Sequence, residues 1–326
     1  MKILFTSTHE TSFIKEDLDL LCKSFEVSFL KTDGLRSIPK ILGSVTRADV
    51  TFTWFASTYS FAVVAMARLM GRQSIIVIGG VDAARCPEID YGIWLSRWKS
   101  VLVGFAMRNA NRLLVVDPYL KRQVVELAGY GGENIEWLPT GYDPNQWHPG
   151  SGSKEKRVLT VAGCSEPARM KMKGLPFLLD VARRMPEVPF TIIGPSGSIQ
   201  KEIRRTSPSN VEVIPFIPRG ELLEFYQKAA VYCQPSYFEG LPNSVCEAML
   251  CECIPVGTTV GGIPTAIGDT GFLVPFGETD RMVAALKQGL RMPSGSGAIA
   301  RARIMKEFTL ERREQGLLRI LRELAV

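Results

Sequence analysis

The sequence predicts an α/β protein built from two doubly wound parallel-sheet domains. Three observations carry that expectation. At 326 residues the chain exceeds the ~250–300 residues at which a single hydrophobic core usually stops growing. Short β-branched runs alternate with helical stretches from end to end, the pattern of parallel βα units. The pattern breaks once, at Asp143-Pro144-Asn145 and His148-Pro149-Gly150-Ser151-Gly152-Ser153, where turn formers and a Gly/Ser run mark a hinge, and then it restarts.

In the first half the apolar runs Ile3–Thr6, Val27–Leu30, Val50–Trp54, Ser74–Ile78, Leu113–Val116 and Ile135–Leu138 read as strands. Helices are expected over Ile14–Phe25, Thr58–Leu69, Tyr91–Asn109 and Pro118–Ala128, with Pro39, Pro87 and Pro118 at element edges. After the break come strands at Val158–Val161, Phe190–Ile193, Val211–Ile214, Val231–Gln234, Ile254–Val256 and Phe272–Val274. A last helix, Leu310–Leu324, carries Leu317, Leu318, Ile320, Leu321 and Leu324, enough for one buried stripe. No internal repeat is visible.

Composition narrows the function classes. Apolar residues make up 46% and charged residues 22%, an ordinary globular balance. No run approaches the ~18 apolar residues of a membrane span, since Phe61 to Met70 is short and broken by Arg68. The start, Lys2 to Thr6, reads as a strand and not as a secretory leader. Seven cysteines, an odd number without paired spacing, point to a reducing compartment. Cys246, Cys251 and Cys253 cluster, but with only His9 and His148 elsewhere and no common zinc spacing they read as buried small hydrophobes. The net charge of +6 is spread, with 16 Lys and Arg against 15 Asp and Glu in residues 1–150 and 23 against 18 beyond. That balance suits a protein that handles a diphosphate or touches an anionic surface, and no nucleic-acid motif is present.

The chemistry-bearing stretch is Glu239-Gly240-Leu241-Pro242-Asn243-Ser244-Val245-Cys246-Glu247, two carboxylates with seven residues between them. Glu239 sits in a Gly/Pro turn, and Glu247 lies about one turn into the helix that should start near Pro242. Such a helix start turns unpaired N–H groups and the positive end of its dipole toward the crevice above the preceding strand, a seat for phosphate. Within a turn of that seat Glu247 could take two hydrogen bonds from a ribose diol, and Glu239 could meet a second polyhydroxylated group. The stretch therefore reads as nucleotide plus sugar.

This element resembles the Glu-x7-Glu signature of retaining GT-B glycosyltransferases of the glycogen-synthase-like and phosphatidylinositol-mannosyltransferase type. The similarity continues through Ile254-Pro255-Val256, Gly261-Gly262-Ile263-Pro264 and Thr270-Gly271-Phe272-Leu273-Val274, and upstream through Lys173-Gly174-Leu175, Thr191-Ile192-Ile193-Gly194 and Leu138 to Asp143. It covers the second half densely and the first half thinly. The resemblance implies two Rossmann-like domains flanking a cleft: an acceptor-binding domain at 1–146, a nucleotide-sugar-binding domain at 147–308, and a C-terminal helix, 309–326, crossing back to the first domain.

By the same resemblance Glu239 would hold donor-sugar hydroxyls, Lys173 would neutralise the leaving diphosphate, and Glu247 would hold the ribose. Asn243, Ser244, Gly240, Leu241, Gly194 and Gly262 would line the donor seat, with Phe216 and Ile217 at the base. Asn243 and Ser244 could equally cap the helix. Relatives carry an Arg after the strand-end glycine where this chain has Gly163-Cys164, so Arg169 and Lys171 in the loop Ser165–Met172 are candidates for the missing charge, against ordinary solvated loop charge. Thr265 stands where relatives usually have Glu. Asp82 after Gly79-Gly80 keeps half of a His-Asp pair and is by that resemblance a catalytic candidate of the first domain, with helix capping or loop hydrogen bonding as its alternative role. His9 reads as a surface loop residue, with a place on the acceptor side as the other option.

Trp94, Arg97, Trp98, Lys99 and Phe105 share one expected helix, for which core packing of the Trp residues is the plainer reading and contact with an anionic membrane the other. The resulting expectation is a cytoplasmic, metal-independent retaining hexosyltransferase, compatible with a peripheral position at the inner membrane face. It would have no cofactor, a UDP- or GDP-linked sugar donor, and a glycan or lipid-linked acceptor. A non-catalytic nucleotide-sugar or partner-binding relative and a sugar-nucleotide epimerase of the same fold are the alternatives.

Overall fold

A computed structural model describes residues Met1–Leu324; Ala325 and Val326, the end of the expected 309–326 segment, lie outside the described residues. The chain divides into two compact units, one formed by the first 141 residues with the last helix, the other by Tyr142–Thr309.

The first unit holds strands β1 Lys2–Ser7, β2 Glu26–Lys31, β3 Val50–Trp54, β4 Gln73–Ile78, β5 Arg112–Val115 and β6 Ile135–Trp137, with helices α1 Ser12–Cys22, α2 Ile38–Val45, α3 Thr58–Leu69, α4 Arg97–Asn109 and α5 Pro118–Ala128. Its sheet is parallel throughout in the order β2-β1-β3-β4-β5-β6. Central strands are buried on both faces, which is why Ile75, Ile76, Val77 and Ile78 run without alternation. The expected helix from Tyr91 begins only at Arg97. Gly92 has φ +115° and backs onto the Ala84 carbonyl, so the chain turns there and Trp94 falls on a short 3₁₀ turn, Ile93–Leu95. Trp98 is 55% exposed with Lys99 over its ring at 5.7 Å, so it is not core; Phe105 packs on Phe61 at 5.1 Å.

The second unit holds β7 Glu155–Cys164, α6 Pro167–Met172, α7 Leu175–Arg183, β8 Phe190–Pro195, α8 Gly197–Thr206, β9 Val211–Ile214, α9 Leu222–Lys228, β10 Ala229–Gln234, α10 Asn243–Leu250, β11 Ile254–Thr258, α11 Ile263–Ile267, β12 Phe272–Val274, α12 Thr279–Arg291 and α13 Ala298–Glu307. The sheet order is β12-β11-β10-β7-β8-β9, again all parallel. Its core joins Val158, Ile192, Val231, Cys233 and Val256 to Leu178, Met282 and Leu286 of the covering helices.

The division at Gly141 and Tyr142 falls before the expected boundary at 146. The segment read as a hinge instead belongs to the second unit: Trp147 is buried against Tyr226 at 5.6 Å, and Arg301 donates to the Trp147 carbonyl at 3.0 Å. The last helix, α14 Leu310–Leu324, packs on α1 within the first unit. Arg313 of α14 lies fully buried in an ion pair with Asp17 at 2.6 Å, and its guanidinium also donates to the Leu138 carbonyl at 2.7 Å.

Candidate active site

In an open parallel sheet the ligand crevice lies beyond the strand carboxyl ends where the strand order reverses. In the second unit that point is between β7 and β10. Two loops leaving these strands, and a third from β11, meet at Glu239.

Close backbone approach explains the glycines. Gly174 has φ +66° and lies so near the Pro235 carbonyl that a Cβ would sit 1.9 Å from it. This lets the Lys173 turn press against the end of β10. Gly261, φ +54°, backs onto the Glu239 carbonyl in the same way, at 2.0 Å, and Gly262 N–H donates to the Gly240 carbonyl at 3.0 Å. Any side chain at Gly174 or Gly261 would force the loops apart.

So held, Lys173 Nζ lies 2.6 Å from Glu239 Oε1. The same oxygen accepts from Gln234 Nε2 at 2.9 Å and Ser236 Oγ at 2.8 Å. Gln234 in turn accepts from Tyr232 Oη at 2.9 Å and Ser244 Oγ at 3.3 Å. The Glu239 carboxylate is thus fixed by a buried polar chain running from strand to helix, a network in which every bond is strengthened by low local dielectric. Gln234 and Ser236 were not singled out from sequence. The signal was present: a polar residue closing an otherwise apolar strand.

Glu247 is buried in the fifth position of α10. Arg219 Nε donates to its Oε1 at 2.7 Å and Tyr226 Oη to its Oε2 at 3.1 Å. Arg219 also stacks over Trp147 at 5.3 Å. Burial, with Glu247 beside it, pushes the Tyr226 phenol well above its ordinary range, so the hydroxyl remains a donor. The sequence reading missed Arg219, Tyr226 and Trp147, because their positions only converge through the fold. Phe216 and Ile217 stand three and two residues before Arg219 in the loop after β9; Phe216 is 70% exposed.

Asn243 and Ser244 open α10, whose N-cap is Pro242 without a capping side chain. Asn243 Oδ1 accepts from Tyr142 Oη at 2.7 Å. Gly240 and Leu241 are buried within the turn. The Ser165–Met172 stretch is mostly the short helix α6, and both Arg169 and Lys171 are exposed on it. Cys164, in the place of the family Arg, is buried; burial pushes its thiol up to about 11 while Lys173 and then Arg169 pull the other way, so both cations lie within electrostatic reach of the β7 end. Gly194, φ +112°, allows β8 to lie against Gly163 and Ala162, a packing role. Thr265 offers its carbonyl to Arg303 at 2.8 Å.

Asp82 belongs to the first unit and is fully buried. Its carboxylate accepts N–H groups from Gly80 at 2.8 Å, Ala56 at 3.0 Å and Gly79 at 3.2 Å. Burial pushes its pKa up to about 6 against the pull of those amides. It ties the ends of β3 and β4 together. His9 is exposed in a turn closed by Ser7.

Residues 155–291 match the family model described as glycosyl transferases group 1. Among relatives, a D-inositol 3-phosphate glycosyltransferase from Kribbella flavida is 29% identical over 226 residues, covering 59% of this chain and 52% of its own length. One of the same name from Mycobacterium bovis is 26% identical over 207 residues, covering 57% of this chain. The chain therefore spans about half or less of these relatives, 52% and 42% of their lengths. Among solved structures, sucrose-phosphate synthase from Thermosynechococcus elongatus superposes with a TM-score of 0.81 at 14% identity, over 99% of this chain and 98% of that one. HepE from Anabaena in complex with UDP-glucose gives 0.81 at 16% identity, over 99% and 100%. The chain thus has the two-unit α/β fold of the GT-B glycosyltransferases. The stretch matched by the group 1 glycosyl transferase model, residues 155–291, lies within the second unit.

Proposed function

We propose that this chain is a retaining, metal-independent glycosyltransferase that moves a hexose from a UDP- or GDP-linked donor to a glycan or lipid-linked acceptor. The observation that carries this reading is the Lys173–Glu239 pair, held at the sheet reversal by Gly174 and Gly261. Departure of a nucleoside diphosphate develops one further negative charge on a group that already carries two, and preorganised positive groups at that position lower the barrier most. Lys173 and the N-terminus of α10 supply them. Glu239, already oriented by Gln234 and Ser236, accepts hydrogen bonds from donor-sugar hydroxyls once Lys173 turns to the phosphate. Glu247 holds the ribose, with Arg219 and Tyr226 fixing the carboxylate from behind and Phe216 and Ile217 beside the base. Asp82 acts by shaping its loop. The acceptor binds on the first unit.

The similarity to D-inositol 3-phosphate glycosyltransferases and to a UDP-glucose complex supports a nucleotide-sugar donor. No described helix is long and apolar enough to cross a membrane. Exposed Trp98 and Val101, near Arg97 and Lys99, support peripheral contact of the first unit with an anionic cytoplasmic surface. Incubating the protein with UDP-, GDP- and ADP-linked hexoses and acceptor glycans, and following nucleoside diphosphate release, tests the reading. Sugar transfer with retained anomeric configuration supports it. Nucleotide binding without turnover, or isomerisation of the free donor, replaces it with a binding protein or an epimerase.

A further inference from the structure

The order β2-β1-β3-β4-β5-β6 reverses in the first unit between β1 and β3, so the crevice of that sheet lies beyond their carboxyl ends. The residue immediately after β3 is Phe55, with φ +65°. Among the described residues only three other than glycine have positive φ, and the other two, Asp90 and Glu252, are polar. A bulky aromatic in the left-handed region is a true outlier that is strained and persists where its surroundings impose it.

Those surroundings are specific. Phe55 N–H still donates to the Val77 carbonyl at 2.9 Å, so the strand ladder holds one side of the kink. Ala56 N–H, on the other side, is held by the buried Asp82 carboxylate at 3.0 Å. Gly79 has no side chain because the Phe55 ring occupies its place, where a Cβ would lie 2.4 Å from Cε1. The kink therefore delivers one aromatic ring over the end of β4. Phe13, at the start of α1, stands edge-on to it at 6.2 Å, and Trp54 lies behind both, at 5.0 Å from Phe13 and 5.4 Å from Phe55. Trp54 is buried, whereas Phe13 and Phe55 each remain partly exposed.

Charge selects the ligand. The Gly79 and Gly80 amides, which would otherwise greet an anion at this strand end, are spent on Asp82. What remains at the reversal is a partly exposed aromatic surface, suited to a neutral ring with an apolar C–H face. We propose that Phe55 and Phe13 form an aromatic floor on the first unit that stacks against a pyranose ring of the acceptor. Identifying that pyranose as the acceptor rests on the glycosyltransferase reading above; the floor itself rests on the first unit alone.

The test is saturation-transfer difference NMR on the whole protein with methyl α-D-glucopyranoside, methyl α-D-mannopyranoside and methyl α-D-galactopyranoside, and with linear D-mannitol as a polyol lacking a ring face. Variants are Phe55→Gly, which removes both ring and strain, Phe13→Ala, and Phe55→Tyr, which keeps the floor. At least one pyranoside should give signal where mannitol does not, with affinity falling roughly tenfold in Phe55→Gly and in Phe13→Ala and retained in Phe55→Tyr. Absence of signal from all three pyranosides, or equal signal in wild type and both ring-deleting variants, overturns the floor. Calorimetric titration of UDP and GDP is run on the same samples. Affinities unchanged across the variants confirm that the effect is local to the floor, and a wild type that binds neither nucleotide contradicts the donor reading while the pyranoside result stands by itself.

Discussion

Asp82 shows how one buried carboxylate can be read through its titration. Its pKa is raised to about 6 from an ordinary value near 3.8, so between those values the folded state binds more protons than the unfolded chain. Stability contributed by this group is therefore complete below about pH 4 and is lost as pH rises through about 6. Thermal melts from pH 7 to pH 4 should show wild type gaining on Asp82→Asn as pH falls; parallel pH profiles contradict a raised pKa. Lys173 is the residue asked to carry the most chemistry. Lys173→Ala should cut turnover by about 10²-fold or more. Arg169, exposed and without contact to Glu239, should matter far less, and full turnover in the Lys173→Ala, Arg169→Ala double variant would sink the leaving-group role. Glu239, Glu247 and Lys173 stand out as candidates in the sequence because a motif places them, and the fold brings Lys173 to Glu239. Gln234, Arg219 and Tyr226 were not, since nothing local announces that a residue 28 positions upstream of Glu247 will bond to it.

At the scale of elements, the join between α1 and α14 concentrates energy in one pair. Asp17 accepts from Arg313 at 2.9 Å and 2.6 Å and from Trp54 Nε1 at 2.9 Å, with both charges almost wholly buried. Removing one partner leaves an uncompensated charge in low dielectric, a loss of about 3–5 kcal/mol, whereas replacing both with apolar residues of like volume is often neutral. Arg313→Ala should lower the unfolding free energy read from denaturant melts by that order, and Asp17→Leu with Arg313→Met should recover most of it. A mild single variant would mean that α14 is held by its apolar stripe of Leu317, Ile320 and Leu321. The stripe was readable from periodicity, but the buried ion pair was not, because each member sits among solvated charges in its own helix. Helix α2 went unread for a different reason: Pro39 and Gly43 punctuate a short apolar run, although Pro at the second helical position is well tolerated.

At the scale of the whole molecule, the twelve parallel strands that the described residues form in two sheets follow from apolar runs buried on both faces, and nearly all are legible within a residue or two. The exception in kind is the link between the units. Gly/Ser composition suggested a hinge after Asp143, yet Tyr142 pairs with Thr309 and Trp147 anchors in the second core, so the chain passes between units at Gly141 and again at Thr309. The central claim is that the second unit binds a nucleoside diphosphate through α10. The most direct measurement is calorimetric titration of UDP and GDP into wild type and into Glu247→Gln, which preserves shape beside Arg219 and Tyr226 where Glu247→Ala would strand both donors. The account predicts binding by wild type and a loss of about 1–3 kcal/mol in the folded variant, the cost of a weakened ribose contact. No binding of either nucleotide by wild type, or equal affinity in the two proteins, would contradict it.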